Sequence, residues 1–265
     1  MKQELKNAIF SWNFLIAVII TAATFYVALA DTSFLSMYKK TDILYMFNIC
    51  MQLSPLFVFL PFVATLPYGY KFIDEYNSNF FRFSLSRSGY KKYSFNKTVA
   101  VVVSAFLAVF LGLVLCVALF SIIAKPIDIN DVEYVQLYDA LRQGRTYGGL
   151  LDINVYLYIL TYIFFMSLFA SLWPVLGMIS STYIKNRYVS LVMPFIVFFL
   201  FWQVGNRLIS FVPALARFFT IANVYYGVYG LFGNPLICAG STLLFVFLWQ
   251  TALFLWFNRR IKTCS

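Results

Sequence analysis

Apolar residues in this chain come in long unbroken runs, not in the alternation of a half-buried strand or the narrow stripe of a surface helix. A helix rising about 1.5 Å per residue needs roughly 20 residues to cross a hydrocarbon core of about 30 Å. Runs near that length occupy positions 12–30, 47–67, 98–124, 156–183, 188–204 and 236–257. The pattern predicts an all-α membrane protein with six transmembrane helices in a single domain spanning 1–265. An even number of spans puts both termini on one side.

The connecting segments differ in character. Positions 2–11, KQELKNAIFS, mix charge with apolar residues and read as a short interfacial helix leading into the first span. Positions 131–143 set Val135, Tyr138 and Leu141 near one helical face with Gly144 placed to end it, which predicts a small helix on the outer side. Positions 205–235 are mostly apolar and aromatic and hold only Arg207 and Arg217 as charges. So greasy a connection belongs in the outer interface, half-inserted before the last span. About 30 residues join the second and third runs, far more than a hairpin needs. There, IDEYNSNFFRFSLSRSGYKKYSFNK places Phe80, Phe81, Phe83 and Leu85 beside Arg82 and Arg87. This mixture fits a short amphipathic helix along the inner surface, stopped by Ser88-Gly89. The plainer alternative is a basic juxtamembrane segment that only meets lipid head groups.

Composition confirms the bilayer as the main solvent: 62% of residues are in the apolar set and 11% are charged, where soluble domains carry about a quarter. The net charge of +10 would raise the question of nucleic acid in a soluble protein, but its distribution answers otherwise. Thirteen Lys and Arg and three acids lie in the two termini, the 68–97 loop and the Lys185–Arg187 turn, whereas seven basic and seven acidic residues share the opposite side. The excess of Lys and Arg places both termini in the cytoplasm, beside an anionic inner leaflet, and explains the charge with no nucleic acid. Ala28-Leu29-Ala30 has the form of a signal-peptidase site, so cleavage of residues 1–30 is a competing reading. The long apolar run and Glu4 argue against it.

Histidine is absent, which removes histidine-based triads, HExxH zincins and the usual metal sites. Cys50, Cys116 and Cys238 sit inside apolar runs and Cys264 is penultimate, so neither a disulfide framework nor a metal site is expected. All 30 charged residues fall outside the six runs, and no GxxxxGK[ST] loop occurs. A gradient-driven transporter normally buries an ionisable group in the membrane, and a nucleotide-driven motor needs that loop. Energy for uphill transport would therefore enter from a partner.

Among polar residues in the runs, Gln52, Gln203 and Gln250 are candidates for a translocation surface. The bland alternative makes them interhelical hydrogen bonds worth about 0.6 kcal/mol each. Ala100, Ser104, Ala108, Gly112 and Cys116 recur every four residues along the third run, a small-residue stripe against which another helix can pack, expected within the subunit. Pro55, Pro61, Pro67, Pro174 and Pro194 predict kinks or helix ends.

These features together resemble the type-2 ABC exporter permeases, and in particular a group of bacterial permeases, many from Firmicutes. The likeness lies in KQELKNAIFSWNFLIAVII, in PFVATLPYGYKFIDEYNSNFFRFSLSRSGYKKYSFNK and in SSTYIKNRYVSLVMPFIVFF, and is strongest from Pro61 to Lys97. The resemblance implies a cytoplasmic coupling helix near 74–87, seated in a cleft of a separate ATPase subunit. Asp74, Glu75, Tyr76, Phe80, Arg82 and Arg87 are its ATPase-coupling candidates, with Glu75 at the head of the helix and Arg87 near its end. The group often has Gly where this chain has Asn79, a residue also tolerant of left-handed backbone. The resemblance further implies two permeases, identical or sister chains, with two ATPases that bind the ATP and Mg, and a peptide, lipid-like or antimicrobial cargo. This chain itself would carry no cofactor and catalyse nothing. The rival from a different class is a non-transporting membrane immunity or sensor protein that binds a peptide.

Overall fold

A computed structural model describes residues 2–29, 42–78, 80–124, 132–211 and 234–264, and the described residues are helical with no strand. In chain order the helices are α1 (Lys2–Ile9), α2 (Trp12–Tyr26), α3 (Ile43–Leu53), α4 (Leu56–Thr65), α5 (Lys71–Asn77), α6 (Phe80–Ser88), α7 (Tyr90–Ile123), α8 (Val132–Gly144), α9 (Val155–Ala170), α10 (Pro174–Ser181), α11 (Arg187–Phe211) and α12 (Pro235–Cys264). Short 3-10 turns follow at Val27–Leu29 and Gly148–Asp152. Among the described residues five segments are long and apolar enough to cross a bilayer, or six if the pair α3 and α4, bent by 79°, counts as one.

Local chemistry explains where the helices start and break. Ser11 donates to the Ala8 carbonyl at 3.1 Å and accepts from the Phe14 amide at 3.2 Å, so one hydroxyl closes α1 and caps α2. Asp42 caps α3 through the Tyr45 amide at 2.7 Å. Pro55 has no amide proton to continue α3, and Ser54 stabilises the break by donating to the Thr24 carbonyl at 2.9 Å and accepting from the Leu56 amide at 3.1 Å. The second apolar run is therefore two helices, and Pro61 stays inside the second of them. The fourth run also breaks, at Ser171–Trp173, and restarts with Pro174 in the first turn of α10.

Two expected boundaries are corrected. α7 begins at Tyr90 rather than at 98. With 34 residues it is about 51 Å long, so its first turns stand beyond a 30 Å core. α11 continues through 205–211, the start of the greasy connection expected at 205–235, of which 212–233 lies outside the described residues and Pro235 opens α12. The outer helix appears as α8, with Gly144 as its last residue.

α7 is the centre of the bundle, packed by α2, α9, α1, α12 and α4. Ala100, Ser104, Ala108, Gly112 and Cys116 are all buried on it. A Cβ on Gly112 would lie 2.6 Å from Thr21 Cβ and 2.7 Å from the Val18 carbonyl, so the stripe packs against α2 of the same chain. Pointing outward are large apolar side chains such as Ile19, Phe59, Leu115, Leu160, Leu200 and Phe247. Faces of that kind, on helices of this length, fit a membrane-embedded chain.

Candidate functional site

The two ends of the bundle differ in chemistry. At one end α8 and the Gly148–Asp152 turn join through Tyr138, whose hydroxyl donates to Asp152 at 2.6 Å, and through Arg142, which pairs with Asp152 at 3.1 Å. The other end gathers α1, the turn before α5, α5, α6, the start of α7, the 182–186 connection and the end of α12. Its polar ties run across the bundle. Ser94 donates to Asn258 at 2.7 Å, Asn13 donates to the Tyr70 hydroxyl, and the Arg260 guanidinium lies 4.2 Å from the Tyr183 ring centre.

At the heart of this end sits Lys97, 1% exposed. Its ammonium donates to Glu4 at 2.7 Å, to Glu75, and to the Tyr68 hydroxyl at 3.2 Å, which uses all three of its protons. Tyr68 in turn donates to Glu4 at 2.5 Å, and Tyr93, one turn before Lys97, donates to the second oxygen of Glu75 at 2.8 Å. The rings of Tyr68 and Tyr93 flank the ammonium at 5.0 and 5.8 Å. One lysine thus fastens α1, the 66–70 turn, α5 and α7 together. Burial acts to raise the Glu4 carboxyl, and the attraction and hydrogen bond of Lys97 outweigh it, holding Glu4 below its ordinary value. Tyr68 is pushed up, by burial first and then by its bond to Glu4. The ammonium occupies the position where a cation between two carboxylates would sit, so this cluster's chemistry is charge pairing.

The coupling candidates divide into anchors and an exposed face. Asp74 pairs with Arg187 at 2.5 Å and with Lys71 at 3.9 Å, Glu75 is turned inward to Lys97 and is 12% exposed, and the Tyr76 ring lies 4.5 Å from the Lys185 ammonium. Three consecutive residues of α5 therefore tie it to α7 on one side and to the Lys185–Arg187 segment on the other. α6 then presents two faces. Phe81 is buried among Phe72, Tyr76 and Tyr93, with Leu85 beneath it. Phe80 and Phe83 are 57% and 69% exposed, and Arg87 is exposed on the same stripe. Arg82 lies in α6, and its side chain is outside the described residues. Gly89 joins α6 to α7 at φ 72° and ψ 153°, backbone that is essentially glycine's own, as a stop at Ser88-Gly89 requires.

Sequence reasoning missed the Lys97 cluster because Lys97 was counted among the loop charges, one residue outside the third run. The available signal was its spacing. Lys97 lies three residues before Ala100 and seven before Ser104, on the face that the small-residue stripe buries.

The three glutamines are not brought together in one cavity. Gln52 is exposed, donates to Asn48 at 3.3 Å and shares a small cavity with Arg145, Tyr158 and Tyr162. Gln203 is exposed on α11. Gln250 donates to the Ser171 carbonyl at 2.6 Å, filling the gap where α9 ends, which is the interhelical hydrogen-bond reading.

Compared with known proteins, the chain matches no protein-family model, no curated protein and no solved structure.

Proposed function

We propose that this chain is the membrane-spanning permease subunit of an ABC exporter in a bacterial cytoplasmic membrane. In this reading α3 and α4 together form the second of six spans, both termini are cytoplasmic, and the charged end faces the cytoplasm. A separate ATPase subunit binds and hydrolyses ATP with Mg, and a second permease, identical or sister, completes the assembly. The cargo class is a peptide, lipid-like or antimicrobial molecule moved outward.

The observation that carries the reading is the mounting of α6. Its exposed Phe80, Phe83 and Arg87 stand on a base, α5, that is pinned by ion pairs to α7 and to the start of α11, with Lys97 of α7 carrying the tie on to α1. ATP-driven closure of a partner can tilt whole helices only through a stiff handle. A helix that turns exposed side chains outward, on a base that grips two separate parts of the bundle, is such a handle. The inward turn of Glu75 changes its expected part: it braces the handle instead of meeting the ATPase.

The test is a pair of variants in the native host. Phe83→Asp and Arg87→Ala should leave insertion and folding intact while reducing copurification of the ATPase and export by about tenfold. Glu75→Gln should loosen the fold as well. Normal ATPase association and export in Phe83→Asp and Arg87→Ala together would refute the role of this face.

A further inference from the structure

A second feature of the charged end is independent of that reading. α7 and α12 cross through the Ser94–Asn258 hydrogen bond at 2.7 Å and an edge-on contact of Phe95 with Phe254 at 6.1 Å. From this crossing toward the middle of the bundle runs an outward-facing groove of about 330 Å³, lined among others by Thr98, Val99, Val102, Phe247 and Gln250. Phe95 to Val103 covers about 12 Å of helix, so the groove is long and narrow, with apolar walls.

Charge points to its occupant. Lys91 lies one turn before Phe95 on the same face of α7, with Lys92 beside it, and Arg259 follows Asn258 on α12; all three are exposed. The apolar groove therefore ends under a basic rim at the end of the molecule that carries the positive excess.

We propose that the α7–α12 groove binds one anionic phospholipid of the surrounding leaflet, with an acyl chain along Val99, Val102 and Phe247 and the phosphate on Lys91, Lys92 and Arg259. Zwitterionic lipid fits the same walls but gains little from the rim, so the site selects for negative head groups.

The test uses the purified full chain in detergent, stripped of lipid, with phosphatidylglycerol or phosphatidylcholine added back. Native mass spectrometry should show one retained phosphatidylglycerol, held on the order of tenfold more tightly than phosphatidylcholine. Lys91→Glu with Arg259→Glu should abolish that preference, Lys91→Arg should keep it, and Val102→Trp should block both lipids. Lys2→Glu with Lys6→Glu, at the same end but off the groove, should change nothing. Equal loss in the Lys2 and Lys6 variant would show a diffuse surface effect and overturn the site. So would equal retention of the two lipids by the native chain. Disulfide crosslinking of a Val103→Cys variant between two copies in membranes would show that a second copy covers the groove, and would also overturn it.

Discussion

Replacing Lys97 with methionine tests the charged cluster most sharply. Methionine keeps much of the length and apolar stem of lysine, so packing against Tyr68 and Tyr93 is largely retained while the ammonium is lost. Two carboxylates, with side chains 12% and 28% exposed, then face each other without their cation. Removing one member of a buried ion pair costs about 3–5 kcal/mol, most of it the penalty of the charge left behind. For a chain of this size that corresponds to a fall in midpoint of about 6–20 °C. A Lys97→Met, Glu75→Gln double variant removes one stranded carboxylate and should recover at least about 1 kcal/mol, a coupling that adding the two single effects would miss. The assay is thermal unfolding of the purified chain in detergent for the native form, both single variants and the double. A shift below about 2 °C in Lys97→Met, or strict additivity in the double, would refute a stabilising role for the cluster.

Glycines separate two mechanisms and supply a control. Gly112→Ala sets a Cβ 2.6 Å from Thr21 and 2.7 Å from the Val18 carbonyl, and should cost about 1–3 kcal/mol by overpacking the α2–α7 contact. Gly89→Ala meets nothing within 4 Å, so its expected cost of about 1–3 kcal/mol comes from backbone strain alone. Gly149→Ala, in open space with ordinary backbone, should be neutral by the same unfolding assay. The pH dependence follows from Glu4. Its folded value lies below the ordinary 4.5, so the unfolded chain binds the proton more readily and the stabilisation is complete above about pH 4.5. That contribution is lost as pH falls through the lowered folded value. Unfolding midpoints between pH 7 and pH 3 should therefore decline less steeply in Glu4→Gln than in the native chain.

Much of the architecture is written locally. The start of α2 at Trp12 was legible from the long apolar run that begins there, and the stop at Ser88-Gly89 because few residues but glycine adopt that backbone. Pro55 and Pro174 announced breaks. The 79° angle at the first of them was not legible, since it depends on Ser54 bonding Thr24, 30 positions earlier. The start of α7 was placed eight residues late because Lys91, Lys92 and Lys97 hide the first turns from any hydropathy criterion. The same charges hid the cluster: Lys97 and Glu4 stand 93 positions apart, and no local pattern pairs them. The resemblance makes Tyr76 and Asp74 coupling candidates, whereas their partners, Lys185 and Arg187, come from the connection into α11, more than 100 positions along the chain.

The central claim is that the outer face of α6 meets an ATPase carried by another molecule. Placing a photo-crosslinking residue at Phe83 in the native host, and identifying the adduct by mass spectrometry, tests it most directly. The account predicts a covalent product with a nucleotide-binding subunit containing a phosphate loop, and no such product from the same probe at Ile153 on the opposite end. Adducts at Phe83 with lipid alone, in cells that export normally, would contradict it.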